Sequence, residues 1–346
     1  MSQTPLDESD YVHCSLDSGW SVGANGDDFG RIIYDTNNFD IPSLAYHVHD
    51  EGLLLVVYLV PGAFIADEGK TILDTNIMIG SIEPVVQQWH PSVVDQFASG
   101  GVDLIKLDFV TPGSHTNNAN LPANLSGEVI AYHNAIAQSG RSIRLDISWK
   151  LDRSQAFFDI WESSADSMQS DQDIYNAGEC TFVAWDFLQR AIENYLFTMV
   201  IQYNRMLAIY LDMDSLFVGN EADFSGMTVA ERQTMMRHWV GAAANLIVGS
   251  DLTHLDALGL DVLTRADQIQ AWDAGPDSSV YAVAVLANYG PDQGQGGFGT
   301  VFEGAQTVTV SSDDLDITGT DLRSPSEGFS IELEEAESVL YRLTPA

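Results

Sequence analysis

The chain has 346 residues and a formal net charge of −36, with only three lysines, Lys70, Lys106 and Lys150. So acidic a surface repels nucleic acid and anionic lipid, which excludes both as partners and suits a neutral substrate in an acidic or salty medium. Hydrophobic content is ordinary, and no apolar run approaches the ~20 residues of a membrane span.

The length exceeds one ordinary core, so one large barrel plus a small domain is the natural organisation. The first ten residues carry neither a basic nor an apolar region of a signal peptide. Cys14 and Cys180 make neither a zinc site nor a disulfide framework, and Cys14 is expected as a small core residue. The sequon Asn124-Leu125-Ser126 is a glycosylation acceptor if the protein is secreted.

From residue 12 to about 252, short apolar runs alternate with helix-period stretches, the pattern of a parallel α/β fold. Strands are expected at Val12–Asp17, Leu53–Val60, Val102–Asp108, Ser142–Ser148, Asp166–Ile174 (polar and weak), Leu207–Asp214 and Asn245–Asp251. Helical stretches between them include Ile82–Ser99, Phe182–Val200 and Val229–Ala244, the last with Trp239 on its inner face. After Trp272 the helical period stops. Val280–Asn288, Thr300–Val301, Thr307–Val310, Ser330–Leu333 and Ser338–Leu343 read as strands of a small antiparallel β domain, a sandwich. The expected division is therefore a catalytic barrel over 1–272 and a β domain over 273–346.

Three tempting motifs carry no function. Gly294, Gly296 and Gly299 satisfy G-x-G-x-x-G, but a strand follows instead of a helix N-terminus, so phosphate has no dipole to bind. Asp314, Asp316 and Gly319 begin like a calcium loop, yet Pro325 stands where a bidentate Glu is needed, which leaves a β-turn. Neither G-x-S-x-G nor H-E-x-x-H occurs, which removes serine-hydrolase and zinc-protease readings.

The informative segment is Gly101 to Ser114, where an apolar run ends in Lys106-Leu107-Asp108 before the turn Pro112-Gly113. Alternation along a strand points Lys106 and Asp108 the same way, toward the C-terminal rim where barrels place their chemistry. A cation beside a carboxyl group favours the carboxylate, the form that a nucleophile needs. Asp residues close other strands as well: Asp17, Asp173, Asp212 and Asp214. One such Asp is a cap or turn residue, whereas several on one rim form an acidic pocket.

Glycoside hydrolysis uses two carboxyl groups with opposed tasks, an ionised nucleophile and a protonated acid. Asp108 fits the first, and Asp173, in the acidic run with Asp166 and Asp171, fits the second. Trp20, Tyr58 and Trp149 suit stacking on a sugar or, equally, packing in the barrel.

These motifs resemble glycoside hydrolase family 27, the α-galactosidases and α-N-acetylgalactosaminidases, from about residue 11 to the C-terminus. LDSGW at Leu16–Trp20 resembles the family's D-D-G-W, and IKLD at Ile105–Asp108 its L-K-x-D nucleophile motif. SMQSDQDI at Ser167–Ile174 resembles W-R-x-x-x-D-I, DMDSLFVGN at Asp212–Asn220 resembles D-P-D-M-L-x-x-G-N, and AANLIVGSDL at Ala243–Leu252 resembles A-A-P-L-x-x-x-N-D-L.

The resemblance implies a (β/α)8 TIM-type barrel followed by a C-terminal antiparallel β-sandwich. It implies Asp108 as nucleophile and Asp173 as acid/base, about 5 Å apart, with retention of configuration. Lys106 and Tyr58 would line the sugar site, Asp17 would grip the galactose O4 and O6 hydroxyls, and Asp214 would also contact the sugar. No metal or organic cofactor is implied, and the partner is a carbohydrate. Relatives of this kind imply secretion; the oligomeric state stays open.

The departures bear on specificity. Ser18 replaces the second carboxylate of D-D-G-W, and Gln169 replaces the Arg of the acid/base motif. Ser148-Trp149-Lys150-Leu151 aligns with the segment reading the C2 substituent, with Ser where animal-type α-galactosidases carry Glu. These changes keep open an α-N-acetylgalactosaminide, a β-L-arabinopyranoside or an α-glucoside-type substrate, and a silent sugar-binding protein. The family's strand 1 would precede residue 11, so the expected barrel lacks strand 1 and leaves two sheet edges unpaired, as in a shortened chain. The joint near Ala266–Asp273 also reads as short.

Overall fold

The computed structural model describes residues 11–80, 89–111, 123–149, 151–176, 179–202, 208–264, 282–293, 303–310 and 329–343. They fall into two compact units, one comprising Val12–Gln172 with Thr198–Asp212, the other Met1–Tyr11, Asp173–Phe197 and Met213–Ala346.

The first unit is built on six strands, β1 (His13–Leu16), β2 (Leu54–Leu59), β3 (Leu104–Leu107), β4 (Arg144–Ile147), β5 (Ser167–Gln169) and β6 (Tyr210–Asp212). They pair in chain order and every pair is parallel. Helices α1 (Ile41–Asp50), α2 (Trp89–Ser99), α3 (Ser126–Ser139) and α4 (Gln155–Ser164) separate the first five strands. This alternation fits a TIM-type barrel.

Period-two alternation divides the sheet into two chemically distinct faces. Leu55, Val57, Leu59, Ile105, Leu107, Leu145, Ile147, Met168 and Leu211 lie on one face and are buried. With the buried Trp89, Phe97, Tyr132, Phe158 and Trp161 of the helices they make the core. Each such apolar side chain contributes about 1.5–3 kcal/mol. The opposite face carries Tyr58, Lys106, Asp146, Ser167 and Gln169. Helix α1 starts where Asp40 accepts from the Ser43 amide, and α3 stops at Gly140, whose φ of 72° is left-handed.

The second unit holds the part of α5 (Trp185–Gln202) up to Phe197, α6 (Ala222–Ser225), α7 (Val229–Gly241) and α8 (Ala257–Thr264), then β7 (Ala282–Ala287), β8 (Gln306–Val310), β9 (Phe329–Leu333) and β10 (Ser338–Leu343). Its core gathers Leu188, Val218, Met235, Met236, Trp239 and Leu263. A capping box of Thr228 and Glu231 starts α7. The antiparallel pairs β7–β10 and β8–β9 form two separate ribbons.

The described elements follow the expected ones closely, with three adjustments, the first being that the expected strand Leu207–Asp214 is found only as Tyr210–Asp212. The expected fifth strand shrinks to three residues because polar side chains interrupt it. The expected strand Asn245–Asp251 yields a single parallel bridge, Leu216 to Val248. There the Ser250 hydroxyl takes the Gly219 amide and Asn220 Oδ1 takes the Asp251 amide, so side chains replace ladder partners.

Residues 82–88 of the expected helix Ile82–Ser99, Pro112-Gly113, Lys150, the joint at Ala266–Asp273, Thr300–Val301, and the Gly294 and Asp314 motifs lie outside the described residues. Among the described residues no helix is long and apolar enough to cross a membrane.

Candidate active site

Parallel register builds the site. Tyr58, Lys106, Asp146, Ser167 and Tyr210 stand opposite one another across β2 to β6. Two residues further along the same face come Asp108, Ser148, Gln169 and Asp212, at the C-terminal strand ends.

Asp108 sits where β3 ends, and its carboxylate is held from three sides. Tyr58 Oη donates to Oδ2 at 3.0 Å, Ser148 Oγ donates to Oδ1 at 2.8 Å, and the Phe109 amide donates to Oδ1 at 2.8 Å. Such bonds fix the carboxylate's orientation. Phe109 and Trp149 follow β3 and β4 at φ 58° and 78°, and their rings lie 5.0 Å apart. Left-handed backbone at two aromatic residues is strained, and such strain gathers at functional sites.

Lys106 Nζ donates to Asp17 Oδ2 at 3.1 Å, with Lys106 20% exposed and Asp17 61% exposed. Asp17 Oδ1 also takes the amide of the exposed Ser18 at 2.6 Å. Gln169 is buried, and its Oε1 accepts from the Trp149 amide at 2.7 Å, so it shapes the backbone after β4. Trp20 offers no stacking face: it is 1% exposed, its indole N–H donates to Tyr58 O at 3.0 Å, and Phe97 meets it edge-on. Asp166 has turned from the acidic run, its Oδ2 accepting the Leu145 amide at 2.7 Å. Cys14 is half-buried in β1 rather than a core residue.

Asp173 and Asp214 belong to the second unit. Asp173 is exposed, and its backbone carbonyl accepts from Arg190 Nη2 of α5 at 2.8 Å. The next amide, of Ile174, donates to Asp214 Oδ2 at 2.8 Å. Asp214 Oδ1 takes the Ser215 amide at 2.6 Å, and its carbonyl takes the Trp239 indole at 3.0 Å. Asp214 therefore anchors the segment that carries Asp173. Its φ of 68° is left-handed, a conformation uncommon outside glycine.

The structure thus brings Asp17, Ser18, Tyr58, Lys106, Asp108, Ser148, Trp149 and Gln169 into one unit, and Asp173 with Asp214 into the other. Sequence reasoning missed Phe109, Asp146 and Arg190. Asp146 was visible in the alternation Arg144-x-Asp146-x-Ser148, whereas nothing local marks Arg190 as an anchor. Asp146 is 3% exposed, and burial raises its carboxyl above the ordinary carboxylate range while Ser167, Lys106, Asp212 and Arg144 oppose that rise.

Residues 1–272 match the family model Melibiase_2, described as alpha galactosidase A. The chain is 42% identical to Alpha-galactosidase 3 of Hypocrea jecorina over 99% of its own length, and it spans 64% of that relative. Among solved structures, a GH27 β-L-arabinopyranosidase from Geobacillus stearothermophilus aligns with TM-score 0.75 at 18% identity, over 99% of this chain and 90% of that one. Alpha-galactosidase I from Mortierella vinacea aligns with TM-score 0.68 at 14% identity, over 98% and 90%.

Proposed function

The chain belongs to the alpha galactosidase A family, and from that premise we propose that it is a retaining glycoside hydrolase that removes terminal α-D-galactosyl residues. The observation that carries the reading is Asp108, held by Tyr58 and Ser148 at the end of β3 with the Lys106–Asp17 pair beside it.

In this reading an Asp108 oxygen attacks the anomeric carbon as Asp173 gives its proton to the departing glycosidic oxygen. The C–O bond to the aglycone breaks and a glycosyl ester on Asp108 forms. Water then attacks the same carbon, Asp173 takes its proton, and the ester breaks with net retention. Tyr58 and Ser148 orient the nucleophile, while Asp17 and Lys106 take sugar hydroxyls. The reading requires no metal or organic cofactor. It assigns residues 1–272 to a (β/α)8 catalytic barrel, 273–346 to a β domain, and the protein to a secreted compartment.

A second reading keeps the chemistry and changes the sugar. Ser148 is small and spends its hydroxyl on Asp108, which leaves room beside C2 for an acetamido group or another substituent. Hydrolysis of aryl α-D-galactoside at mildly acidic pH, with Asp108→Asn as control, tests both. Turnover lost in the variant supports the first, and preference for an aryl α-N-acetylgalactosaminide or β-L-arabinopyranoside supports the second. Wild-type turnover surviving in folded Asp108→Asn overturns the nucleophile.

A further inference from the structure

Directly below the residues assigned to sugar binding, the sheet buries two acids that this reading does not use. Asp146 of β4 is 3% exposed and Asp212 of β6 is 1% exposed. Both project from the polar face of the sheet, in consecutive register rows, and their carboxyl groups are hydrogen-bonded to each other. Between them stands Ser167 of β5, whose Oγ donates to Asp146 Oδ1. Lys106 of β3 is the register partner of Asp146, and Arg144 lies two residues below on the same face, its guanidinium 5.9 Å from the Tyr210 ring centroid. Tyr58 stands beyond Lys106, and Asp108, Ser148 and Gln169 occupy the row above.

Two carboxyl groups in hydrogen-bond contact, both out of water, do not ionise together. One proton remains between them, the protonated member donating to the other, and the pair carries one negative charge. That charge faces Lys106. The ammonium is mostly buried and needs a compensating anion, yet Asp17, with which it pairs, is exposed and in the proposed function turns to sugar hydroxyls. We propose that Asp146 and Asp212 form a single-proton acid pair that positions Lys106 from beneath the sugar site. The pair keeps Lys106 charged and aimed at the rim when substrate engages Asp17. Asp146 and Asp212 are positioning residues, and the inference rests on the proposed glycosidase function only for its effect on turnover.

The sign of the linkage supplies a test that needs no substrate. The folded protein keeps a proton that the unfolded chain releases above the ordinary value of 3.8. Stability is therefore lost as pH rises from that value to the raised folded one, and levels off above it. In Asp146→Asn the amide takes the place of the protonated carboxyl and the pair stops titrating. The melting temperature of Asp146→Asn relative to wild type should rise as pH increases above about 4. A difference that stays constant with pH overturns the pair.

The infrared band of a protonated carboxyl should persist in wild type above the ordinary carboxylate range and vanish in Asp146→Asn and in Asp212→Asn. Its absence from wild type also overturns the pair. On turnover, Asp146→Ala should raise KM on the order of tenfold with a smaller change in kcat, as displacement of a binding group does, and Asp146→Asn should recover most of the loss. A wild-type KM in folded Asp146→Ala overturns the positioning role. Should Asp146→Ala not fold, or should wild type hydrolyse no galactoside, the stability and infrared arms still decide whether the pair exists.

Discussion

Ser148 Oγ donates to Asp108 Oδ1 at 2.8 Å, joining the residue just after β4 to the one just after β3. Hydrogen bonds to a charged group contribute about 1.5–3 kcal/mol, so loss of this one should misorient the carboxylate appreciably. Ser148→Ala is expected to lower kcat/KM for the hydrolysed glycoside by about tenfold without lowering the melting temperature. Steady-state kinetics beside a thermal melt checks this, and an unchanged kcat/KM would deny Ser148 any part in holding Asp108.

Tyr58 holds the other carboxylate oxygen, its phenol 3.0 Å from Asp108 Oδ2. Tyr58→Phe keeps the ring and removes the donor, and a loss similar to that of Ser148→Ala is expected. Because both donors act on one carboxylate, the double variant should depart from additivity by more than about 0.5 kcal/mol. Strict additivity in the double-mutant cycle would show that the two donors act independently.

His238 sets an acid limit on stability. Burial holds its imidazole down to about 4 from an ordinary 6.5, with Nδ1 2.9 Å from the Tyr289 hydroxyl and the Tyr195 ring edge-on. A base with a depressed folded value is neutral in the native state and protonated sooner when unfolded. Its stabilisation is complete above 6.5 and falls as pH drops to about 4. The total is about 3 kcal/mol over that window. Denaturant melts from neutral to acidic pH should lose less stability in His238→Gln than in wild type, and parallel losses would contradict this.

Arg232 is buried on α7 and binds Asp256 through two bonds of 2.7 Å, from Nη1 to Oδ2 and from Nη2 to Oδ1, while Nε donates to Val218 O at 2.8 Å. Removing one partner of such a pair strands the other charge. Arg232→Met should destabilise the protein by about 3–5 kcal/mol, read from urea unfolding. A shift below about 1 kcal/mol would mean that water reaches Asp256 and solvates it.

Gly259, in the first turn of α8, packs on the backbone of Gly219, and an added Cβ would overlap the Gly219 carbonyl. Backbone atoms cannot rotate away as a side-chain tip can. Gly259→Ala is therefore expected to destabilise by about 1–3 kcal/mol, despite the higher helix propensity of Ala. A variant as stable as wild type would show that α8 shifts freely.

The parallel strands were legible because their apolar runs have an intrinsic period and end in Asp, Gly or Pro, both local properties of the chain. Lys106 and Asp108 were placed on one face by alternation alone; Tyr58, the register partner of Lys106, reaches the Asp108 carboxylate. Trp20 was ambiguous because an aromatic residue beside a strand end reads alike whether it faces solvent or core. Only the buried packing on Phe97 decides it. The strand expected at Asn245–Asp251 was overread because side-chain bonds from Ser250 and to Asn220, residues 30 apart in sequence, take over the backbone there.

Composition, strand spacing and the ordered motifs by themselves determined a parallel α/β layer and the family of the chain. Those properties depend on neighbours a few residues away. Tertiary structure alone decided which groups hold Asp108, what Gln169 does, and that Asp146 and Asp212 meet. Each of these depends on register between strands that the chain brings together across 20 to 90 residues. Long-range pairing is set by the packing of whole elements, so no local pattern encodes it.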